Sequence, residues 1–224
     1  LLAAFEVLMG RYSAQTDFPV GVPFANRARR ETEGLIGFFV NTLVLRADLS
    51  GDPSFRQLLA RVREASLAAF EHQDLPFGRL VEELHPRRDA GRSPLVQVML
   101  ALQNAPEGGI AVDGSSAGGR SPAAAPLEVV EVERGTANFD LVLDLWHQGS
   151  ELGGRLEYST ELFDAARMER LLGHYQNLLV AVAARPDEPV ETLPMLTEAE
   201  QQTLADWNTT DTDYPGDALL CDLF

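Results

Sequence analysis

Three short polar clusters hold the side chains of this 224-residue chain that are best suited to binding or reaction. Asn41 and Thr42 interrupt the apolar run IGFFVNTLVLR, and the other two clusters are HQDLPF, residues 72–77, and RRDAGRSPL, residues 87–95. A carboxamide can donate to a carbonyl and accept from an amine without titrating. Asn41 therefore fits a group that orients a substrate better than one that transfers a proton.

Each cluster also has a structural interpretation. Asn41 can satisfy the backbone of a neighbouring loop, because burying an unpaired carboxamide costs roughly 1–3 kcal/mol. Gln73 and Asp74 can cap the helix that begins within their own motif. Arg88 and Asp89 can form a local ion pair that pins a turn. Taken singly, the residues favour the structural interpretation of all three clusters.

The sequence contains no self-sufficient active site. Its four histidines are scattered, and none has metal-ligand spacing with another histidine, a cysteine or a carboxylate. No nucleophile elbow and no phosphate-binding glycine loop is present. His174 falls inside a predicted long helix, which favours a core or surface role. Cys221 is the only cysteine, so no intrachain disulfide can form, and this is typical of a cytoplasmic protein.

Charge is distributed unevenly along the chain. Residues 1–100 hold 12 arginines and 12 acidic residues, whereas residues 101–224 hold 6 arginines and 22 acidic residues, and the whole chain has a formal net charge of −16. A nucleic acid is not expected as a partner, because phosphate binding needs a basic surface. A membrane is not expected either, because no apolar run reaches the ~18 residues of a spanning helix.

Helices and strands alternate in the predicted order, which indicates a mixed α/β fold with a sheet layered on helices. The first segment, LLAAFEVLMGRY, is interpreted as the amphipathic tail of a helix, and residues 105–126 as a flexible loop rich in Gly, Ala, Pro and Ser. The predicted helices cover 1–12, 55–70, 76–86, 165–185 and a short segment after Thr197, and the predicted strands cover 18–27, 36–48, 95–104, 127–133, 139–148 and 155–160.

Capping signals mark several of these boundaries. Asp52 is predicted to cap a helix whose first position is Pro53. Asp164 is predicted to cap the long helix, and Thr197 with Glu200 fits a capping box for the last one. The segment GSELGG is predicted to be the turn of a hairpin between the two strands before the long helix.

The three polar clusters, in this order and at this spacing, resemble the last three signature motifs of nonribosomal peptide synthetase condensation domains. The segments DLSGDPSFRQLLARVRE, NFDLVLDLW and GRLEYSTELFD extend the likeness. The resemblance covers residues 1–205, which are interpreted as the C-terminal subdomain of such a domain. Residues 206–224 resemble the linker to an adenylation domain and its first residues.

The resemblance implies a chloramphenicol acetyltransferase-like fold, in which two subdomains form a V with a tunnel between them. The implied reaction is amide formation between a donor thioester on an upstream peptidyl carrier protein and an aminoacyl thioester on a downstream one. Both substrates are carried on phosphopantetheine, and no cofactor is bound directly. The family's catalytic motif, HHxxxDG, belongs to the N-terminal subdomain. No HH occurs in this chain, so the resemblance assigns no catalytic residue here and implies that the fragment is inactive alone.

The resemblance also suggests roles for individual residues. The loop at about 24–37 resembles the floor of the tunnel, and the hairpin region at about 138–158 resembles the latch that crosses to the partner subdomain. Asn41→Ala is expected to slow condensation in an intact domain while leaving folding nearly unchanged. The implied tunnel-wall residues are Phe39, Val40, Asn41 and Thr42, and the motif residues interpreted as structural are Gln73, Asp74, Pro76, Phe77, Arg88, Asp89, Ser93 and Pro94.

Arginines in the charge-balanced part of the chain are candidates for contact with a carrier protein. Arg27, Arg29 and Arg30 could meet a phosphopantetheine phosphate or an acidic carrier helix. Solvated loop charge is the preferred alternative.

Two other functions are kept open. One is a heterocyclization or epimerization relative with the same fold, which the FVNT sequence disfavours. The other is a non-catalytic scaffold that holds carrier proteins or neighbouring domains. The encoded sequence upstream of Leu1 discriminates between condensation and the scaffold, because HHxxxDG there supports condensation.

Overall fold

The computed structural model describes residues 1–27, 30–86, 92–103, 135–149 and 151–211. The predicted loop at 105–126, the predicted strand at 127–133 and most of the predicted linker lie outside the described residues. Within them, the elements in chain order are α1 Leu2–Ser13, β1 Asp17–Phe24, α2 Arg30–Glu33, β2 Asn41–Asp48, α3 Phe55–Glu71, α4 Phe77–Leu84, β3 Val98–Gln103, β4 Leu141–Gln148, β5 Glu151–Tyr158, α5 Ala165–Ala184 and α6 Glu198–Trp207.

The five described strands form one mixed sheet in the order β2-β1-β3-β4-β5. The two outer pairs, β1 with β2 and β4 with β5, are antiparallel, and the two inner pairs are parallel. Parallel neighbours need a long crossover, which explains why helices and strands alternate along the chain. The predicted mixed α/β fold with a sheet on helices is confirmed.

One face of the sheet is buried beneath α1, α3 and α5, and alternate residues of β4 show the pattern. Leu141, Leu143 and Leu145 are buried, whereas Val142 and Asp144 on the other face are only half-buried. Each fully buried leucine contributes about 1.5–3 kcal/mol relative to an exposed one. No described helix is both long enough and apolar enough to cross a bilayer.

Helix α1 lies at the centre of the core. Every residue from Ala3 to Gly10 is buried, and the helix packs against β1, α3 and α5. The predicted helix is therefore confirmed, but the prediction that one of its faces is polar and exposed was wrong. A helix enclosed on all sides has no solvent-facing stripe and no polar period.

The second strand is shorter than predicted. It begins at Asn41, opposite Phe24, the last residue of β1. Residues 36–40, predicted to be strand, precede it as an exposed segment in which the side chains of Ile36 and Phe38 are 104% and 90% exposed. Because β1 ends at Phe24, no strand of the described part pairs with these residues.

N-cap residues were predicted for three helices, and two of these predictions are confirmed, at α5 and α6. The side chain of Asp164 accepts from the backbone N–H of Arg167, and Thr197 with Glu200 forms the predicted capping box. At α3 the cap is Ser54 in a capping box with Gln57 rather than Asp52. The helix consequently starts two residues later than Pro53.

The predicted hairpin is confirmed, but its turn is tighter than GSELGG. The strands pair as far as Gln148 opposite Glu151, and the turn starts at Gly149, whose φ is 64°. Gly153 lies inside β5, where a Cβ atom would stand 2.5 Å from Nε1 of Trp146. The absence of a side chain at Gly153 leaves room for this indole, so the glycine serves packing rather than turning.

Candidate functional site

The carboxamide of Asn41 joins the start of β2 to the turn between α3 and α4. Its Nδ2 donates to the backbone carbonyls of Gln73, at 2.9 Å, and Leu75, at 2.8 Å. Its Oδ1 accepts from the backbone N–H of Phe77 at 3.1 Å. We call these four residues the Asn41 node. Both donor hydrogens and one acceptor position are used, which matches the structural interpretation of Asn41.

The Asn41 node also caps α4. The N-cap residue of α4 is Pro76, which has no side-chain hydrogen-bond acceptor, and no side chain of the cap residue bonds the first turn. Phe77 is the first residue of the helix, and its otherwise unpaired N–H is satisfied by Asn41. The prediction that Gln73 and Asp74 cap this helix was wrong, because a side chain 36 residues earlier in the chain supplies the acceptor.

Gln73 and Asp74 have different surroundings in the turn. The Oε1 atom of Gln73 is buried without a hydrogen-bond partner, whereas Asp74 is exposed. An unpaired buried oxygen costs free energy unless another group reaches it. The turn itself is closed by backbone bonds, from the N–H of Gln73 to Phe70 and from the N–H of Leu75 to His72.

Large exposed apolar side chains lie in the segment before Asn41 and in the turn before α4. We call this group of side chains the apolar edge. Phe39 is covered by the guanidinium of Arg27, which lies 4.4 Å from its ring centroid, and Thr42 pairs with Pro23 in the sheet. The apolar edge comprises Leu35, Ile36, Phe38, Val40 and Leu75.

Arg27 organises the loop that leads to this edge. Its guanidinium donates to the backbone carbonyls of Thr32, of Leu35 at 2.8 Å and of Gly37 at 3.3 Å. The predicted carrier-docking role therefore competes with contacts inside the chain. Arg30 begins α2 and is exposed, and Arg29 lies outside the described residues.

The third motif does not join the Asn41 node. The carbonyl of Ser93 accepts from Nε2 of Gln97, and the carbonyl of Pro94 accepts from the N–H of Val96. Among the described residues no hydrogen bond links this segment to Asn41. Arg88 and Asp89, the other predicted residues of the motif, lie outside the described part of the chain.

A second polar node lies within the helical layer that covers the sheet. His174 of α5 is only 6% exposed, its Nδ1 lies 2.7 Å from the hydroxyl of Tyr12, and its Nε2 lies 2.9 and 2.8 Å from the two carboxylate oxygens of Glu200. We call these three residues the His174 node. Of the core or surface role predicted for His174, the structure shows the core one, and no spacing in the sequence indicated its partners.

Electrostatics in the His174 node favour a charged carboxylate. The backbone N–H of Thr197, followed by the hydrogen bonds from His174 and the Thr197 hydroxyl, lowers the pKa of Glu200 to about 2. Burial is the largest cause that raises the pKa of Tyr12, and the charge on Glu200 adds to it. Glu200 is thus an ionised acceptor, and Tyr12 is a neutral hydroxyl.

The two nodes hold polar groups in place. The Asn41 node contains no nucleophile beside a base, and in the His174 node the hydroxyl of Tyr12 lies 2.7 Å from an imidazole that is only 6% exposed. No three His, Cys, Asp or Glu side chains of the described part gather to hold a metal ion. The Asn41 node shapes one edge of the sheet, and the His174 node ties three helices together.

Comparisons with known proteins agree on one family. The family described as Condensation domain matches residues 1–205. One of the linear gramicidin synthase polypeptides of Brevibacillus parabrevis is 48% identical over 225 residues, and the match spans all of this chain but only 4% of that protein.

Two solved structures give the same result. A four-domain nonribosomal peptide synthetase bound to AMP and glycine superposes on 89% of this chain with a TM-score of 0.77 at 25% identity, using 16% of its own length. The X-domain from teicoplanin biosynthesis, in a complex with OxyB, matches 88% of this chain and 42% of its own with a TM-score of 0.71 at 28% identity.

Proposed function

This chain belongs to the condensation domain family, and we propose that it is the C-terminal half of an amide-forming domain of a nonribosomal peptide synthetase. The amine of an aminoacyl thioester attacks the carbonyl of a donor thioester. A C–N bond forms, the C–S bond breaks, and the thiol of the donor's phosphopantetheine leaves. The observation that carries this proposal is the family match over residues 1–205.

The apolar edge supports the proposal that a second half completes the domain. Ile36 and Phe38 are almost fully exposed beside Val40 and Leu75, and clustered apolar exposure of this kind is typical of an interface. The X-domain structure also extends well beyond the part that this chain matches. In our proposal the missing half supplies the catalytic histidine and the other wall of the tunnel.

In this proposal Asn41 stabilises the tunnel wall through its hydrogen bonds and does not contact the substrate. Its carboxamide is occupied by backbone groups of the turn between α3 and α4. Phe39, Val40 and Thr42 are then the residues that line the tunnel, and Asn41 keeps their segment in register with α4. The heterocyclization and epimerization alternatives keep the same fold, and the FVNT sequence disfavours them.

The proposed setting is a cytoplasmic multimodular synthetase. Two carrier proteins deliver the substrates on phosphopantetheine, and residues 206–224 lead to an adenylation domain. The exposed Arg30 is a candidate contact for an acidic carrier surface, since Arg27 is engaged within its own loop.

A reconstituted assay tests the proposal. The intact domain that contains this chain is mixed with an upstream carrier loaded with a donor acyl group and a downstream carrier loaded with an amino acid. We expect an amide on the downstream carrier, detected by mass spectrometry, and none when either carrier is unloaded. An intact domain that carries HHxxxDG and still forms no amide from matched substrates would contradict the proposal.

A non-catalytic interaction module is the second candidate. The observation that favours it is the likeness to the X-domain, whose solved structure is a complex with OxyB. In that case the domain would lack amide-forming activity and would bind another protein stably. Size-exclusion chromatography with the neighbouring proteins of the same biosynthetic system, run beside the amide assay, separates the two candidates.

A further inference from the structure

Helix α6 is held to the rest of the molecule in an unusual way. None of its side chains is buried. Among the described residues, the hydrogen bonds from Nε2 of His174 to the carboxylate of Glu200 are the ones that join α6 to another helix. The side-chain hydrogen bonding between α6 and the other described helices is therefore concentrated at one residue, Glu200.

The segment before α6 is fixed independently. Leu193 is fully buried, its carbonyl accepts from Nη1 of Arg11 at 2.6 Å, and the carbonyl of Met195 accepts from Nδ2 of Asn177 at 3.0 Å. The chain is thus anchored as far as Met195. Beyond that point Glu200 provides the next side-chain hydrogen bond to the core.

The His174 node suits a permanent attachment. The ionised Glu200 can only accept, so Nε2 of His174 carries a hydrogen, and Nδ1 on the other side of the ring lies 2.7 Å from the hydroxyl of Tyr12. Tyr12 lies on α1 and His174 on α5, so the carboxylate is connected to two core helices. The capping box places Glu200 one turn into α6, because the same carboxylate accepts from the N–H and the hydroxyl of Thr197.

The opposite end of α6 presents two exposed apolar side chains. Leu204 is 42% exposed and Trp207 is 72% exposed, and residues three apart share one face of a helix. The condensation family match ends at residue 205, whereas the gramicidin synthase match spans the whole chain. Trp207 therefore lies where the chain passes from the condensation domain towards the next part of the synthetase.

We propose that Tyr12, His174 and Glu200 form a latch that fixes the direction in which the chain leaves the domain, and that Leu204 and Trp207 dock on the domain that follows. The identity of that neighbour, an adenylation domain, rests on the proposed function. The latch itself rests on the contacts of α6 alone. A rigid exit helix with an apolar end would set the angle between the two domains.

Hydrogen exchange in a module that contains both domains tests the latch. Glu200→Gln keeps the capping box, because glutamine also serves at this position, but it replaces a charge-assisted bond by a neutral one. His174→Phe removes the contact from the other side without changing α6. We expect the amides of residues 198–208 to exchange roughly ten times faster in both variants, and Gln201→Ala, whose side chain bonds only the carbonyl of Leu196, to match the wild type.

The docking face is tested in the same module with Trp207→Ala. We expect faster exchange in a surface segment of the following domain, with the amides of α6 near the latch unchanged. Wild-type exchange of α6 in both latch variants would overturn the latch, and unchanged exchange throughout the following domain would overturn the docking face. Neither readout requires turnover, so a module that forms no amide still decides both points.

Discussion

The Asn41 node and the His174 node both join distant parts of the chain, but they do so in different surroundings. Each uses one side chain to connect elements that are far apart in sequence, across 36 residues at Asn41 and 162 residues at His174. The Asn41 node lies at the half-exposed edge of the sheet and binds backbone groups. The His174 node lies in the helical layer and joins side chains, with the imidazole of His174 only 6% exposed and Tyr12 41% exposed.

The difference shows that the free energy lost with a polar contact depends on how deeply the contact is buried. At the sheet edge, water can replace part of a lost hydrogen bond, so each bond contributes modestly. Around the buried side chains of the helical layer, Glu6 and His174, water does not replace a lost partner. An unpaired group there loses its full hydration free energy. We therefore expect the loss of a buried polar group in the helical layer to be more damaging than the loss of one at the sheet edge, and the variants of Glu6, His174 and Asn41 test this ranking.

The largest effect is expected at Glu6, on the buried helix α1. This side chain is 2% exposed with Oε2 unpaired, and burial raises the pKa of its carboxyl to about 8. The folded state then holds a proton that the unfolded state releases, so the free energy of unfolding falls as pH rises from about 4.5 to 8. Glu6→Gln should remove this decline, which is on the order of 3–5 kcal/mol.

Denaturant unfolding of the intact domain between pH 5 and 8 checks this expectation. Glu71→Gln, at an exposed position at the end of α3, is the matched control and should leave the pH profile unchanged. Equal slopes for wild type and Glu6→Gln would show that the carboxyl of Glu6 finds a partner in the intact domain.

The second effect is the loss of the His174 node. His174→Ala removes two buried hydrogen-bonding contacts and leaves a cavity between α1 and α5, so we expect about 3 kcal/mol of destabilisation. The shift of the urea midpoint at constant slope measures it. A loss no larger than that of Asn41→Ala would contradict the ranking of the two regions.

The third effect is the loss of the Asn41 node. Asn41→Ala leaves two carbonyls and one N–H without their partner, and partial access of water limits the cost to roughly 2 kcal/mol. This replaces the expectation from sequence that folding would be nearly unchanged. Asn177→Ala, which loses the single bond to Met195, is the matched control and should cost about half as much.

The reconstituted amide assay adds a functional readout for the same pair of variants. We expect Asn41→Ala to slow condensation because the tunnel wall is displaced. Asn177→Ala should retain wild-type turnover at a temperature where both variants are folded. Wild-type turnover in Asn41→Ala under those conditions would remove Asn41 from any role in the tunnel.

The smallest effect compares two glycines. Gly153→Ala at the open face places a methyl group against the indole of Trp146, so we expect about 1 kcal/mol of destabilisation. Gly173→Ala in α5 meets no atom within 4 Å and should stabilise the helix by up to about 1 kcal/mol. Thermal unfolding should show a lower midpoint temperature for Gly153→Ala and a higher one for Gly173→Ala. A higher midpoint for both variants would show that the indole of Trp146 moves aside without a cost in free energy.

Features with local causes could be predicted from the sequence. The sequence predicted β4 itself, whose buried face follows the alternation of Leu141, Leu143 and Leu145, and the short polar signals at Asp164 and Thr197 predicted two helix starts. These features follow from neighbours within a few residues, so periodicity and capping chemistry suffice. The order of the three motifs likewise sufficed for the family.

The contacts of the polar side chains, by contrast, could be read only from the folded chain. Asn41 was noticed because its neighbours are apolar, but its partners on the turn before α4 become close only when α3 packs on β2. His174 gave no local signal, because Tyr12 and Glu200 are brought to it by α1 and α6. The same holds for the end of β1 at Phe24, beyond which none of the described strands pairs with residues 36–40. Such contacts depend on the packing of distant segments, which no short window of sequence contains.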